Sequence, residues 1–387
     1  GNKIYSPHYA GGFVGWDQEG GIIRECYSTG NLSGNGNGLL GGFAICNYGR
    51  IESSYSTGSL SDITDKATLA GSVTMAQFVV YNGALAQHDG DRTYPGDCIN
   101  CFTTSECQLR KDADQSEDFY KNYCAAFLFE YNHGQAGFSD SEHEYSREIG
   151  CFWNKDGIPQ TDNINNPYIG KEYTVSYMQS PEFVDELNKL AHFMGTSQWE
   201  HRAGQLPHTT GVYMKDISDF FGGGDGLKDS PYLVGNKEHL QNVVKLVDYG
   251  FDFHKAYLKQ TANIELNRPI AYWGDEMPTE WQPIGGEHEH SQLVSADYVF
   301  RGTYDGDFHE VQNMYIDNVK DYQALFGIIG DSVTIRNLGV TNVYAHAAKV
   351  GILVGNVGDG YNIIQCWTSG DVESQGSPKN GYAQAGA

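Results

Sequence analysis

The chain has 387 residues, 48 of them glycine, and is long enough for two domains or one elongated repeat array. Its 49 acidic side chains outnumber the 25 basic ones and leave a net charge of −24, a surface that repels nucleic acid and anionic lipid. The apolar stretch 70–86 is interrupted by Ser72, Thr74, Gln77 and Asn82, so it is not read as a membrane span, which needs about 20 mostly apolar residues.

The first element is a phrase that returns. Gly11-Gly12-Phe13-Val14-Gly15 leads to Ile23-Arg24-Glu25-Cys26-Tyr27-Ser28-Thr29-Gly30, and Gly41-Gly42-Phe43 leads to Ile51-Glu52-Ser53-Ser54-Tyr55-Ser56-Thr57-Gly58. Ile23 and Ile51 share one slot; Cys26 and Ser54 share the next, three residues on. Alternate residues follow: Ser28 and Ser56, Gly30 and Gly58, Leu32 and Leu60. The period of two predicts a strand, and the three-residue step before it predicts a corner. A repeat this small cannot bury its own apolar face, so it must stack on its neighbours. The 28 residues from Cys26 to Ser54 suit one coil of a parallel β-helix with looped-out turns. Gly-rich, Thr/Tyr-rich phrases with alternation argue against an α-solenoid.

Residues 91–170 read as an irregular, polar, Cys-bearing insertion in which Cys151-Phe152-Trp153-Asn154 fits one further rung. Segment 171–213 is expected to close the first unit, 1–213. Within it Ser180-Pro181-Glu182 starts a helix with Phe183, Leu187, Leu190 and Ala191 on one face. Residues 214–229, with Phe221-Gly222-Gly223-Gly224-Asp225-Gly226, predict a flexible junction. A second unit, 230–387, begins with a capping helix from about Asn236 to Gly250 that carries Leu240, Val243, Val244 and Val247 on one face. Ile335 and Leu338 then fit the repeat frame. Gly351-Ile352-Leu353-Val354-Gly355 leads to Ile363-Ile364-Gln365-Cys366-Trp367-Thr368-Ser369-Gly370. The expected fold is all-β: a parallel β-helix, or β-solenoid, in two units with short capping helices. The chain opens in mid-pattern at Gly1, as expected when a leader has been removed or the piece belongs to a longer protein. Its last residues, 383–387, run in register with 9–13.

The repeated phrase resembles the GLUG motif of bacterial cell-surface proteins. The ordered series Ser230-Pro231-Tyr232-Leu233-Val234, Ile264-Glu265-Leu266-Asn267, Trp281-Gln282-Pro283-Ile284-Gly285, Phe300-Arg301-Gly302-Thr303-Tyr304-Asp305-Gly306, Leu325-Phe326-Gly327 and Ile335–Val340 resembles the opening of GLUG-containing β-helical domains. Tyr177-Met178, Phe183, Leu187-Asn188 and Trp199 are similar to the segment that closes them. The resemblance implies a β-helix on large exported proteins of adhesin type. It implies no catalytic residues.

Cysteine chemistry is weighed next. Cys26 and Cys366 occupy the inward repeat slot, and Cys101 and Cys151 fit it too; each reads as a small buried hydrophobe. Cys98, Cys101, Cys107 and Cys124 have a spacing that permits zinc but matches no ribbon or finger. In an exported protein a disulfide among Cys98, Cys107 and Cys124 is the stronger expectation, with its pairing open. Glu287-His288-Glu289-His290 has its histidines two apart rather than four, so it reads as an exposed loop, as does Ser141-Glu142-His143-Glu144. Asp305-Gly306-Asp307 and Asp225-Gly226 are turn formers first, and Asp305 and Asp307 are the weak calcium candidates. No nucleophile elbow, phosphate loop or nucleotide fingerprint is present, and no cofactor is expected apart from calcium.

The expected function is non-enzymatic: an exported, cell-surface or extracellular structural or adhesive protein without a membrane span. Its partners would be glycans, a host or neighbouring cell surface, or copies of itself joined end to end into a filament. The alternative is a β-helical polysaccharide lyase or glycoside hydrolase, a fold-level analogy. It would need paired carboxylates, or a basic residue beside calcium, and none stands out.

Overall fold

The repeat phrases form short strands, each paired in parallel with its counterpart one repeat on. The computed structural model describes residues 3–6, 9–65, 72–85, 93–94, 96–109, 124–131, 147–158, 170–213, 220–269, 277–286, 299–374 and 384–386. The chain divides into two compact units, Gly1–Asp216 and Ile217–Ala387.

In the first unit, strands Tyr9–Gly11, Val14–Asp17, Ile22–Arg24, Tyr27–Ser28 and Asn31–Gly34 form one tier. Leu39–Gly41, Ala44–Asn47, Arg50–Glu52, Tyr55–Ser56 and Ser59–Asp62 form the second, and each pairs with its equivalent in the first. Ile23 lies opposite Ile51, as the repeat requires. Thr74–Ala76, Val79–Asn82, Asp97–Ile99, Phe102–Thr103 and Glu106–Gln108 make a third tier. Cys124–Ala125, Leu128–Tyr131, Arg147–Ile149 and Phe152–Asn154 make a fourth.

The reading of 91–170 as an irregular insertion is therefore corrected: its described strands continue the stack. Cys98 takes the slot of Ile51, and Glu148 the slot of Cys98. The physical link is an unbroken column of rings. Phe13, Phe43, Phe78 and Phe127 stack face to face with centroids 5.0, 4.9 and 4.6 Å apart. Parallel pairing fixes the tier spacing near 4.8 Å, which is also a ring-stacking distance.

The predicted corner is a residue in the left-handed region just before the Cys slot. Glu25, Ser53, Asn100, Asn337 and Gln365 have φ of 53, 46, 54, 52 and 54°, and Gly150 has 62°. Asn and Gly accept this conformation readily; Glu, Ser and Gln hold it because the ladder on either side fixes them.

The segment expected to close the first unit begins with Lys171–Tyr173, which pairs with Phe152–Asn154 of the fourth tier, and its helices lie against the outward side. Helices α1 (Val175–Met178) and α2 (Pro181–Met194) start at the Thr174 and Ser180 caps. Phe183 of α2 meets Phe102 and Phe152 edge-on at 5.5 and 5.1 Å, and Trp199 packs against Phe102 at 5.4 Å. Alternation turns Tyr27, Tyr55 and Phe102 away from the interior, and this cover buries the last two while Tyr27 stays 58% exposed.

The second unit repeats the logic. Tyr232, Leu258, Tyr304, Ile335 and Ile363 align across successive parallel strands. Helix α3 (Lys237–Asp248) is capped by Asn236 and buries Leu240, Val243, Val244 and Val247. Residues 220–229, expected as a loose junction, belong to this unit: Phe221 is fully buried on Tyr232 at 4.9 Å, and Gly222 N–H donates to Leu233 O at 2.8 Å. Residues 214–219 lie outside the described residues.

Two substitutions test the stacking. Phe78→Ala opens a gap inside the ring column and is expected to lower unfolding free energy by about 3–5 kcal/mol in denaturant titration. Ser53 has a left-handed backbone and a buried hydroxyl without a hydrogen-bond partner. Ser53→Gly relieves both at the expense of chain entropy, and is expected to gain about 1 kcal/mol in the same assay.

Candidate functional site

Because interior columns are satisfied by stacking, the groups available for recognition lie where the sheets stop. In the first unit, four of the five strands of the first tier are terminal in their sheets; Asn31–Gly34 alone continues, pairing with Lys3–Ser6. Large apolar side chains stand open there, and those of Phe13, Trp16 and Tyr27 occupy slots that are buried in the next tier, at Phe43, Cys46 and Tyr55. Tyr9, Phe13, Trp16, Ile22 and Tyr27 are 52, 48, 47, 57 and 58% exposed. Tyr9 meets Trp16 edge-on at 6.1 Å.

The second unit has a matching edge. Val354–Val357, Asn362–Ile364 and Trp367–Ser374 are terminal in their sheets, and Tyr361, Ile363, Ile364 and Trp367 are 45, 39, 48 and 37% exposed. Trp367 Nε1 donates to Glu310 at 3.1 Å, so the ring is held flat on the sheet. Cys26 and Cys366, both in the inward slot, are half-buried because each belongs to an outermost tier. Ile51, Ser54, Ile335 and Leu338 are fully buried.

Polar chemistry at the first edge centres on two groups. Glu52 is buried and salt-bridged to Arg50 at 2.7 Å and Arg24 at 3.1 Å. The Arg24 guanidinium lies 5.9 Å from the centroid of the Tyr213 ring, and the Tyr213 hydroxyl donates to Glu25. Burial, then that bond and the Glu25 charge, push the Tyr213 hydroxyl up to about 12.

The second group is Asp17. Asp17, Asn47 and Asn82 align in one column. Asn47 Nδ2 donates to Asn82 Oδ1 at 2.7 Å, and Asn82 Nδ2 donates to Glu148 and to Gly96 O. Asp17 has no N–H for this ladder. Its Oδ2 is buried without a hydrogen-bond partner, and burial raises its pKa despite a backbone bond from Gln18. The repeat frame contained this signal, since Val14-Gly15-Trp16-Asp17 aligns with Ala44-Ile45-Cys46-Asn47.

The sequence-derived metal candidates are not drawn together. Asp305 binds Arg336 at 2.8 Å and accepts from Asn337 Nδ2 at 3.0 Å, while Asp307 pairs with Lys259 at 3.0 Å. Burial opposes ionisation of Asp305, yet the Asn337, Asp307 N–H and Arg336 contacts together hold its pKa below the usual value. Both carboxylates face cations rather than a shared point. Glu287–His290 and Ser141–Glu144 lie outside the described residues.

All eight cysteines are free thiols in the structure, and of the three expected to share a disulfide, Cys98 stands apart from Cys107 and Cys124. Register is the reason Cys98 is apart: it stands in the Ile51 slot, whereas Cys107 follows Leu60 and Cys124 follows Met75. Cys98, Cys101 and Cys151 are buried, and burial lifts all three thiols, Cys101 to about 12.

No protein-family model matches the chain, and no solved structure matches it. One relative is a protein of Evansella cellulosilytica provisionally named a Gly-rich membrane protein, 30% identical over 149 residues. The match covers 38% of this chain and 15% of the relative, so the chain corresponds to a small part of that protein's length. Among the described residues no helix is long and apolar enough to cross a membrane.

The unsatisfied carboxylate gives a signed prediction. The folded state raises the Asp17 pKa above the 3.8 of the free side chain, so folding holds its proton. Stability is then fully present below that value and falls as pH climbs through the raised one. Asp17→Asn supplies an N–H to the Asn47 carbonyl oxygen. It is expected to remove this fall and gain about 1 kcal/mol at pH 7, read from thermal midpoints measured between acid and neutral pH.

Proposed function

We propose that the chain is a non-enzymatic, exported structural or adhesive protein of the cell surface or extracellular space. Each unit is a parallel β-helix, and the open edge tier of the first unit joins that of the second unit in a neighbouring copy. Other surfaces, including glycans, would be met through the same exposed aromatics.

The observation that carries this reading is a match between the two open edges. From Gly11 to Ile23 is twelve residues, and from Gly351 to Ile363 is twelve; from Gly41 to Ile51, one tier inside, is ten. Both edge tiers then take three residues to Cys26 and Cys366. Their turns share a left-handed glycine at the same place, Gly20 with φ 75° and Gly360 with φ 69°. Stacked across a joint, Phe13 falls on Leu353, Ile23 on Ile363, Cys26 on Cys366 and Tyr27 on Trp367. A heterologous contact whose rotation does not close on itself gives a filament on repetition. Two strands overhang the joint, Lys3–Ser6 beside Asn31–Gly34 and Gln384–Gly386 beside Lys349–Gly351, and each must give way for the tiers to meet. The relative's name as a membrane protein, set against this acidic chain, supports a place at a cell surface.

Association is expected to strengthen with salt, because two surfaces of a −24 chain repel until screened. Sedimentation and negative-stain imaging should show end-to-end oligomers that Ile363→Asp abolishes while the fold survives. A chain that remains monomeric at high salt and high concentration removes the filament reading. Reducing-sugar release or unsaturated product from a glycan panel would replace it with the lyase or hydrolase alternative.

A further inference from the structure

One thiol in the last strand of the third tier, Glu106–Gln108, meets another in the first strand of the fourth, Cys124–Ala125. Cys107 ends the column Leu32, Leu60, Cys107, and Cys124 ends the column Leu40, Met75, Cys124. Both columns face the same interior and belong to one core cluster. The two residues are 4 and 1% exposed, and the Cys107 thiol is hydrogen-bonded to that of Cys124. Each thus takes the place of a larger apolar residue, Leu60 or Met75, in a column where size matters. A hydrophobic slot alone does not call for two thiols in contact.

We propose that Cys107 and Cys124 form a disulfide that ties the end of the third tier to the start of the fourth. Such a bond needs Cα atoms about 4.4–6.8 Å apart, and the two thiols already meet across the shared interior. The bond forms by exchange. One thiolate attacks a sulfur of an external disulfide, of the glutathione or protein type, and displaces one thiolate. The second cysteine then attacks the mixed disulfide and displaces the other. Two S–H bonds are lost, one S–S bond is made, and the oxidant leaves as two thiols. The contact with Cys124, then burial, hold the Cys107 thiol well above its usual range. Exchange therefore proceeds during folding, before the core shuts, and is slow in the folded chain. Cys98 takes no part, since it lies with Cys101 and Cys151. The proposal needs only an oxidant during folding, and the test below is independent of where the protein resides.

The full chain is denatured, reduced, and refolded in a mixture of oxidised and reduced glutathione. Free thiols are then alkylated under denaturing conditions and unreduced peptides are mapped by mass spectrometry. The expected result is one cross-linked pair joining Cys107 to Cys124, lighter by two hydrogens than the separate peptides, with the other six cysteines alkylated. Alkylation of both Cys107 and Cys124, or a link from either to Cys98, overturns the proposal. As a second readout, reductant should lower the thermal midpoint of the oxidised chain, and Cys107→Val should abolish that sensitivity. An equal drop in Cys107→Val counts against the bond. If that variant fails to fold, the peptide map decides alone.

Discussion

Parallel pairing in register is the constraint on which everything else depends. It places each side chain directly over its equivalent, about 4.8 Å away, so every inward slot must accept its own kind repeatedly. Apolar slots meet this with Ile on Ile and Phe on Phe. Polar slots meet it only when a side chain both donates and accepts along the axis. Asn47 on Asn82 does so. So does Ser56, whose hydroxyl donates to Thr103 at 2.8 Å. A carboxylate cannot donate, which is why Asp17 is left incomplete in a column its neighbours satisfy.

The corner is the second constraint, and it follows from the first. To keep columns aligned, each tier must turn at the same residue, and here that residue adopts a left-handed backbone. Asn100 shows how the corner is also used. Its side chain, turned outward, donates to Leu187 O of α2 at 3.1 Å. Gly150, one tier on, makes room for Leu190 of the same helix, whose Cδ1 would lie 2.2 Å from any Cβ there. The corner column is therefore both the hinge of each tier and the seat of the lateral helix. Asn and Gly occur where the helix docks; Glu25 and Ser53 occur in the tiers before it.

This explains which parts were legible in the sequence. The Ile23–Ile51 and Ile335–Ile363 pairings could be read because identical residues recur in identical frames. The helices could be read because Ser180 and Asn236 cap them in the usual way. The third and fourth tiers were obscured by substitution within slots: Gly-Gly-Phe becomes Ala76-Gln77-Phe78 and Ala125-Ala126-Phe127, and the Ile slot becomes Cys98 and Glu148. The phenylalanine, shared by all four, was the surviving signal. Lateral cover by Phe183 and Trp199 could not be read, because alternation marks Tyr55 and Phe102 as outward without saying what meets them. Nor could the contact between Cys107 and Cys124, since the two slots belong to different columns that meet only once the tiers are folded.

Asp17 also bears on what the open edge of the first unit can accept. A layer added there would face a carboxylate that already lacks a donor. In the joint argued above, the slot six residues beyond the starting glycine sets Asp17 against Val357. An apolar side chain supplies no hydrogen bond, so closing the joint buries an ionised group further unless it takes up a proton. Asn at this position would extend the ladder and leave the edge ready for indiscriminate pairing. Asp makes addition of a layer conditional on protonation or on a donor from the incoming surface. The residue that weakens the first tier thus guards it against casual stacking, a recurrent device on exposed strand edges, where inward-pointing charge opposes aggregation. Stability of the tier and selectivity of its edge are set against each other by a single oxygen.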